Sequence, residues 1–154
     1  MRQWRSERGL SLVELIVAFT ILLILTTAAL PLARVKVKRE RERELRYALR
    51  QMRDAVDRYK DAADRGLIQV EVGSEGYPPD LETLVNGVDM VGQVDKKFKF
   101  LRRIPRDPMT NSDDWGLRSM QDDPQSMSWG GENLFDVYTK SQDTALDGSQ
   151  HADW

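Results

Sequence analysis

Glu14 is the residue with the most chemistry to explain. It lies in an apolar run from Leu10 to Leu32 whose other interruptions are Ser11, Thr20, Thr26, Thr27 and Pro31. A carboxylate in hydrocarbon costs about 2.5–3.5 kcal/mol or more unless it is paired or close to an interface, so this one asks for a cation. A cut between Gly9 and Leu10 would supply it. The new α-amino group precedes Glu14 by four residues, and the carboxylate of one copy can then pair with the amine of a neighbour. A second group, Asp143 and Asp147, lies on a tail that also carries Ser141, Gly148 and Ser149. Spaced carboxylates on a flexible loop are the kind of oxygen donor set that calcium takes, although the alternating acids and closing glutamate of an EF-hand are missing. The competing reading is a pair of Asx-type turns with Gly148 at a positive φ.

Catalysis is not expected. The chain has no nucleophile elbow, phosphate loop or HExxH element. The pairs Asp113-Asp114 and Asp122-Asp123 stand in turn-rich stretches and read as solvated, and the lone His151 reads as a satisfied surface residue. The absence of cysteine removes disulfides and thiolate metal sites.

The apolar run is about the ~20 residues a helix needs to cross a bilayer. Arg2, Arg5 and Arg8 precede it, as in the charged start of a secretory signal peptide, yet the run continues through Pro31 into a charged helical pattern rather than a small-residue cleavage site. Arg34, Lys36, Lys38 and Arg39 follow it, so the positive-inside rule leaves the orientation open. Beyond Leu32, Leu45, Leu49, Met52, Val56 and Tyr59 recur at steps of three and four, the spacing of one helical face packed on a body. A helix from Leu10 to Arg65 would be roughly 80 Å long, with a kink or local melting at Pro31, whose ring crowds the carbonyl of Thr27. The stem is basic from Arg34 to Lys60, the C-terminal third is acidic, and the net charge of -2 conceals this polarity. Acids interleaved with the basic residues at helical spacing speak against nucleic acid as a partner. The expected partner of the stripe is the acidic third of an adjacent copy, steered into register by charge.

After Gly66 the helical pattern stops, and Gly73, Gly76, Pro78 and Pro79 mark a loop. Asp80 is the expected N-cap of a short helix reaching Val85, with Leu81 and Leu84 buried and Tyr77 anchored on the stem. Asp114–Ser119 and Leu134–Thr139 read as two strands, the second with Leu134 and Asp136 on one side and Phe135, Val137 and Thr139 on the other. The fold class is therefore α+β: a long kinked N-terminal helix packed on a small antiparallel sheet of two to four strands, with a loop-rich C-terminus.

The stretch Gly9-Leu10-Ser11-Leu12-Val13-Glu14, followed by the apolar run with Pro31, resembles the signature of type IV pilins and pseudopilins. In that family the acid is the fifth residue after the cut and a proline the twenty-second, and both spacings match. The resemblance implies removal of residues 1–9 by prepilin peptidase, N-methylation of Leu10 by the same enzyme, and a role for Glu14 and Pro31 in assembly. Residues 10–32 would then be the membrane and filament-core helix, 33–66 the amphipathic stem and 67–154 the globular head. Two further segments, Gly76–Leu84 and Leu101–Met109, resemble elements of the major pseudopilin of type II secretion systems, with Met109 where an aromatic is usual. That likeness implies a homopolymer in the periplasm, built from a single-pass inner-membrane precursor with a periplasmic head. It would act as a piston-like element of secretion, with the inner-membrane assembly platform and minor pseudopilins as partners. It also implies calcium in the loop after the last strand, near Trp154, with Asp143 as the first ligand and Asp147 or Asp153 standing in for a later acidic pair. The alternatives are a type IV pilus subunit, whose C-terminal loop is often closed by cysteines, and a membrane-anchored binding protein that does not polymerise.

Overall fold

The computed structural model describes residues 11–93 and 96–154. The chain divides into two compact units, Met1–Lys38 and Arg39–Trp154. Helix α1, Leu12–Asp64, contributes to both. It contains no glycine, and it continues as one helix through Pro31. The local melting expected there does not occur, because a proline removes one bond of the ladder while its fixed φ is itself helical. The helix ends where the sequence places its stop. Gly66 takes φ +65°, its amide donates to Ala63 and the Leu67 amide donates to Ala62, which is the paired closure of a Schellman cap.

In the second unit the predicted stem face is the core. Leu45, Leu49, Met52, Val56 and Tyr59 are at most 2% exposed, and the alanines at 48, 55 and 62 are buried with them. Helix α2, Leu81–Asn86, begins at Asp80, whose Oδ1 accepts from the Thr83 amide at 2.7 Å. It buries Leu81 and Leu84, and the Leu84 carbonyl accepts from the amides of Phe100 and Leu101. Phe100 packs on Tyr59 with ring centroids 5.2 Å apart.

Two small antiparallel sheets complete this unit. In the first, β1 (Val88–Asp89) pairs with β2 (Lys97–Phe98). In the second, β3 (Gly116–Arg118) pairs with β4 (Asp136–Tyr138), with Leu117 opposite Val137. The expected α+β arrangement holds, but the alternation expected around β4 does not. Phe135 is 45% exposed while Val137, Tyr138 and Thr139 are all buried. Both faces of β4 are covered: Val137 joins the core, and Tyr138 lies over Gly116 with the Arg118 guanidinium 4.1 Å from its ring.

Candidate functional site

In the first unit the described apolar side chains are exposed. Leu12, Phe19, Leu23 and Leu32 are between 63 and 74% exposed, and this stretch is long and apolar enough to cross a membrane. Its hydroxyls are satisfied locally. Thr20 donates to the Ile16 carbonyl and Thr26 to Leu22, while Thr27 is shared between Leu23 and Ile24. Back-bonding of this kind removes a polar group from the helix surface. Glu14 lies in the first turn and is exposed, so its carboxylate stands out from an otherwise apolar surface. Gly9 and Leu10, the expected processing residues, lie outside the described residues.

In the second unit, the segment Pro105–Pro108 is organised by a buried acid. Asp107 is wholly buried; Oδ1 accepts from the Met109 amide at 2.8 Å and Oδ2 from the Thr139 hydroxyl. Trp115 is buried beside it and donates Nε1–H to the Pro105 carbonyl at 2.8 Å. One carboxylate thus ties the proline-flanked turn to the residue that follows β4.

The basic stem resolves into a stripe. Arg39, Arg43, Arg46, Arg50 and Arg53 recur at steps of four, three, four and three, and with Glu42 and Leu49 they line a groove of about 490 Å³. That spacing is the signal the sequence offers for these residues within a stem where acids and bases are otherwise interleaved. Two of them meet the acidic third of their own chain, where an adjacent copy was the expected partner. Arg53 donates Nε–H to Asp136 Oδ1 at 2.6 Å and Nη2–H to the Val137 carbonyl at 3.0 Å. Arg46 reaches Asp147 Oδ2 at 3.3 Å and stacks 4.0 Å above the Trp154 ring.

The C-terminal tail closes on this stripe. Glu42 Oε1 accepts from the Leu146 amide at 2.8 Å and lies 3.5 Å from His151 Nε2. His151 is 1% exposed, not a surface residue, and neither ring nitrogen has a hydrogen-bond partner among the described residues. Its ring meets Trp154 edge-on at 5.0 Å. Asp147 Oδ1 accepts from both the Ser149 amide and its hydroxyl. These bonds, with Arg46 adding a smaller effect, hold the Asp147 carboxyl below its ordinary value. The side chains of Asp143 and Asp147, expected to hold calcium, belong to no three-membered cluster of acidic or histidine groups among the described residues. Asp147 is engaged by Ser149 and a guanidinium, and Asp143 is exposed. The Asx-type turn accounts for Asp147, and Gly148 takes φ +88°.

Residues 4–30 match the prokaryotic N-terminal methylation motif. In comparisons with curated proteins and with solved structures nothing matches the chain. The motif indicates a type IV pilin-like subunit, and it implies processing by a prepilin peptidase, a methylated N-terminus and assembly into a filament. With the exposed apolar helix, it fits a membrane-anchored, single-pass protein.

Proposed function

We propose that this chain is the repeated shaft subunit of a periplasmic pseudopilus, held once in the inner membrane before assembly and serving as the piston-like element of type II protein secretion. The observation that carries the filament reading is Glu14, an exposed carboxylate on an apolar helix within the matched motif. After cleavage behind Gly9, the methylated amine of Leu10 remains a cation and pairs with the Glu14 of a neighbour. The subunit then leaves lipid because only the filament offers that partner. The turn held by Asp107 between Pro105 and Pro108 supports secretion over a surface pilus. The inner-membrane assembly platform and minor pseudopilins are its partners.

The test expresses the full chain in a host that has the peptidase, the assembly platform and a secreted reporter. Gly9→Asp leaves the precursor at its higher mass and forms no filament. Glu14→Ala is processed normally but loses roughly a hundredfold in filament yield, because the cost of the carboxylate in lipid, which drives the subunit into the filament, is gone. Normal filaments from Glu14→Ala overturn the reading. Filaments that reach the cell surface without affecting reporter export assign the shaft to a type IV pilus instead.

A further inference from the structure

Five arginines along one groove repel one another, and among the described residues only part of that charge is met. Arg53 and Arg46 are paired with Asp136 and Asp147. Among the described residues Arg43 meets only Glu40 on its own helix, with its side chain 75% exposed, and the Arg50 Nε–H is spent on the Arg46 carbonyl. Arg39, Arg43 and Arg50 therefore present an open guanidinium row at one helical face, next to two arginines that show what the stripe takes. In both cases the acceptor is a carboxylate from the acidic third, and in one it is joined by a stacked aromatic ring.

The same chain carries a surface of matching chemistry. From Ser119 to Thr139 there is no lysine or arginine, while Asp122, Asp123 and Glu132 lie in the loop between β3 and β4. The amides of Ser119 and Gly130 hold the Asp122 carboxyl below its ordinary value. The loop also exposes apolar groups suited to stacking guanidinium planes: Met120 and Met127 are 54% and 53% exposed, and Trp129 is 39% exposed. Asp136, at the end of this segment, is already the partner of Arg53.

We infer that the arginine groove of one subunit receives the 119–135 loop of a second copy, with Arg39, Arg43 and Arg50 pairing with Asp123 and Glu132 and stacking on Trp129. This rests on the filament reading above and names the contact that sets register between heads. Opposite charges at such a contact steer docking and exclude misregistered neighbours. Arginine suits the task because its planar fork binds carboxylates in two-point fashion and stacks on aromatic faces.

The test uses the full chain in the host with its assembly machinery. Reversing the groove (Arg39→Glu, Arg43→Glu, Arg50→Glu) or the loop (Asp123→Lys, Glu132→Lys) is expected to cut filament yield at least ~10-fold, and combining the two to restore it to within ~3-fold of the unaltered chain. Asp122 is left in place because it holds the Ser119 and Gly130 amides. Unchanged near-ultraviolet dichroism of each variant in detergent establishes that the head is folded. The chain has no cysteine of its own, so co-expressed Arg50→Cys and Glu132→Cys chains are expected to give oxidised dimers only in assembling cells. Undiminished filaments from either reversed set overturn the inference while leaving the filament reading intact. So does failure of the combined variant to recover, including the case where groove reversal instead abolishes sedimentation with vesicles of anionic phospholipid, which assigns the stripe to lipid phosphates. If the unaltered chain forms no filament, both readings fall together.

Discussion

Replacing Asp136 with Asn tests how the stem is fastened to the second sheet. Asp136 receives Arg53 Nε–H at 2.6 Å and Nη2–H at 3.3 Å, and Arg118 Nη1 lies 3.6 Å away. The three side chains differ in solvent access: Asp136 is 26% exposed, Arg53 34% and Arg118 9%. An exposed ion pair is worth ~0–1 kcal/mol, and breaking a buried one costs ~3–5 kcal/mol because a charge is stranded. This cluster lies between those limits. Arg118 would keep its bond to the Ser126 carbonyl at 2.9 Å and its place over Tyr138, which argues for the lower half of the range. A loss of about 2 kcal/mol is expected from Asp136→Asn, which for a body of this size lowers Tm by ~8 °C. The assay is thermal unfolding of the full chain in detergent, followed by tryptophan fluorescence, with Arg53→Met and the double variant completing a cycle. A coupling above ~1 kcal/mol is expected for residues in one network, whereas independent sites add to within ~0.5 kcal/mol. A Tm drop under ~2 °C, or a coupling indistinguishable from zero, refutes the claim that this pair joins stem to sheet. So does loss of the whole effect in 0.5 M salt, since a shielded pair is screened far less than an exposed one.

Gly116→Ala places a methyl group 2.2–2.5 Å from three atoms of the Tyr138 ring, an overpacking that forces the ring out of the sheet. A cost of about 2–3 kcal/mol is expected, read as a Tm drop near 10 °C, and a change under ~3 °C refutes the stacking argument. Acid sensitivity follows from Asp122 and Asp147, whose carboxyls are held low in the folded chain by backbone and hydroxyl donors. A depressed folded pKa contributes stability above the unfolded pKa and loses it as pH falls through the folded value, so Tm should fall with these groups below about pH 4. The double variant Asp122→Asn, Asp147→Asn should be less stable at pH 7 and show a shallower acid decline; an unchanged acid slope refutes the assignment. Calcium at millimolar concentration should move Tm by less than ~1 °C, because a ligand at a hundred times its Kd adds ~2.7 kcal/mol and would be plain to see. A rise that tracks calcium concentration overturns the reading of Asp147 as a carboxylate already engaged.

Local features of this chain were legible because local residues determine them. The three-and-four spacing of Leu45 to Tyr59 named the buried stem face, Asp80 named the start of α2, and the end of the helical pattern at Gly66 located the cap. What was illegible depended on partners distant in sequence. The two-residue strands β1 and β2 are too short to carry a period. The face of Tyr138 is decided by Gly116 and Arg118 across the strand pair, so alternation within β4 had no say. His151 reads as a surface residue until Glu42 and Trp154 close over it. The arginine stripe was visible as basic charge, but which arginines are free and which are spent depended on where Asp136 and Asp147 fall.

The two units differ in what stabilises them, and that difference leads to the function. Residues 39–154 bury their own core, from Leu45 on the stem to Leu134 and Val137 at the second sheet. The described side chains of α1 up to Val37 are all exposed, so none of the described residues buries their apolar surface. Lipid covers such a helix but offers little gain from one apolar neighbour over another, so packing and polar contacts decide between lipid and a second helix. Glu14 is the acidic group on that apolar surface, and its cost in lipid is removed only where a cation is supplied at the same depth. On the proposed reading, a second processed copy brings that cation on its own N-terminus, so that lipid and filament compete for the same helix and one carboxylate tips the balance.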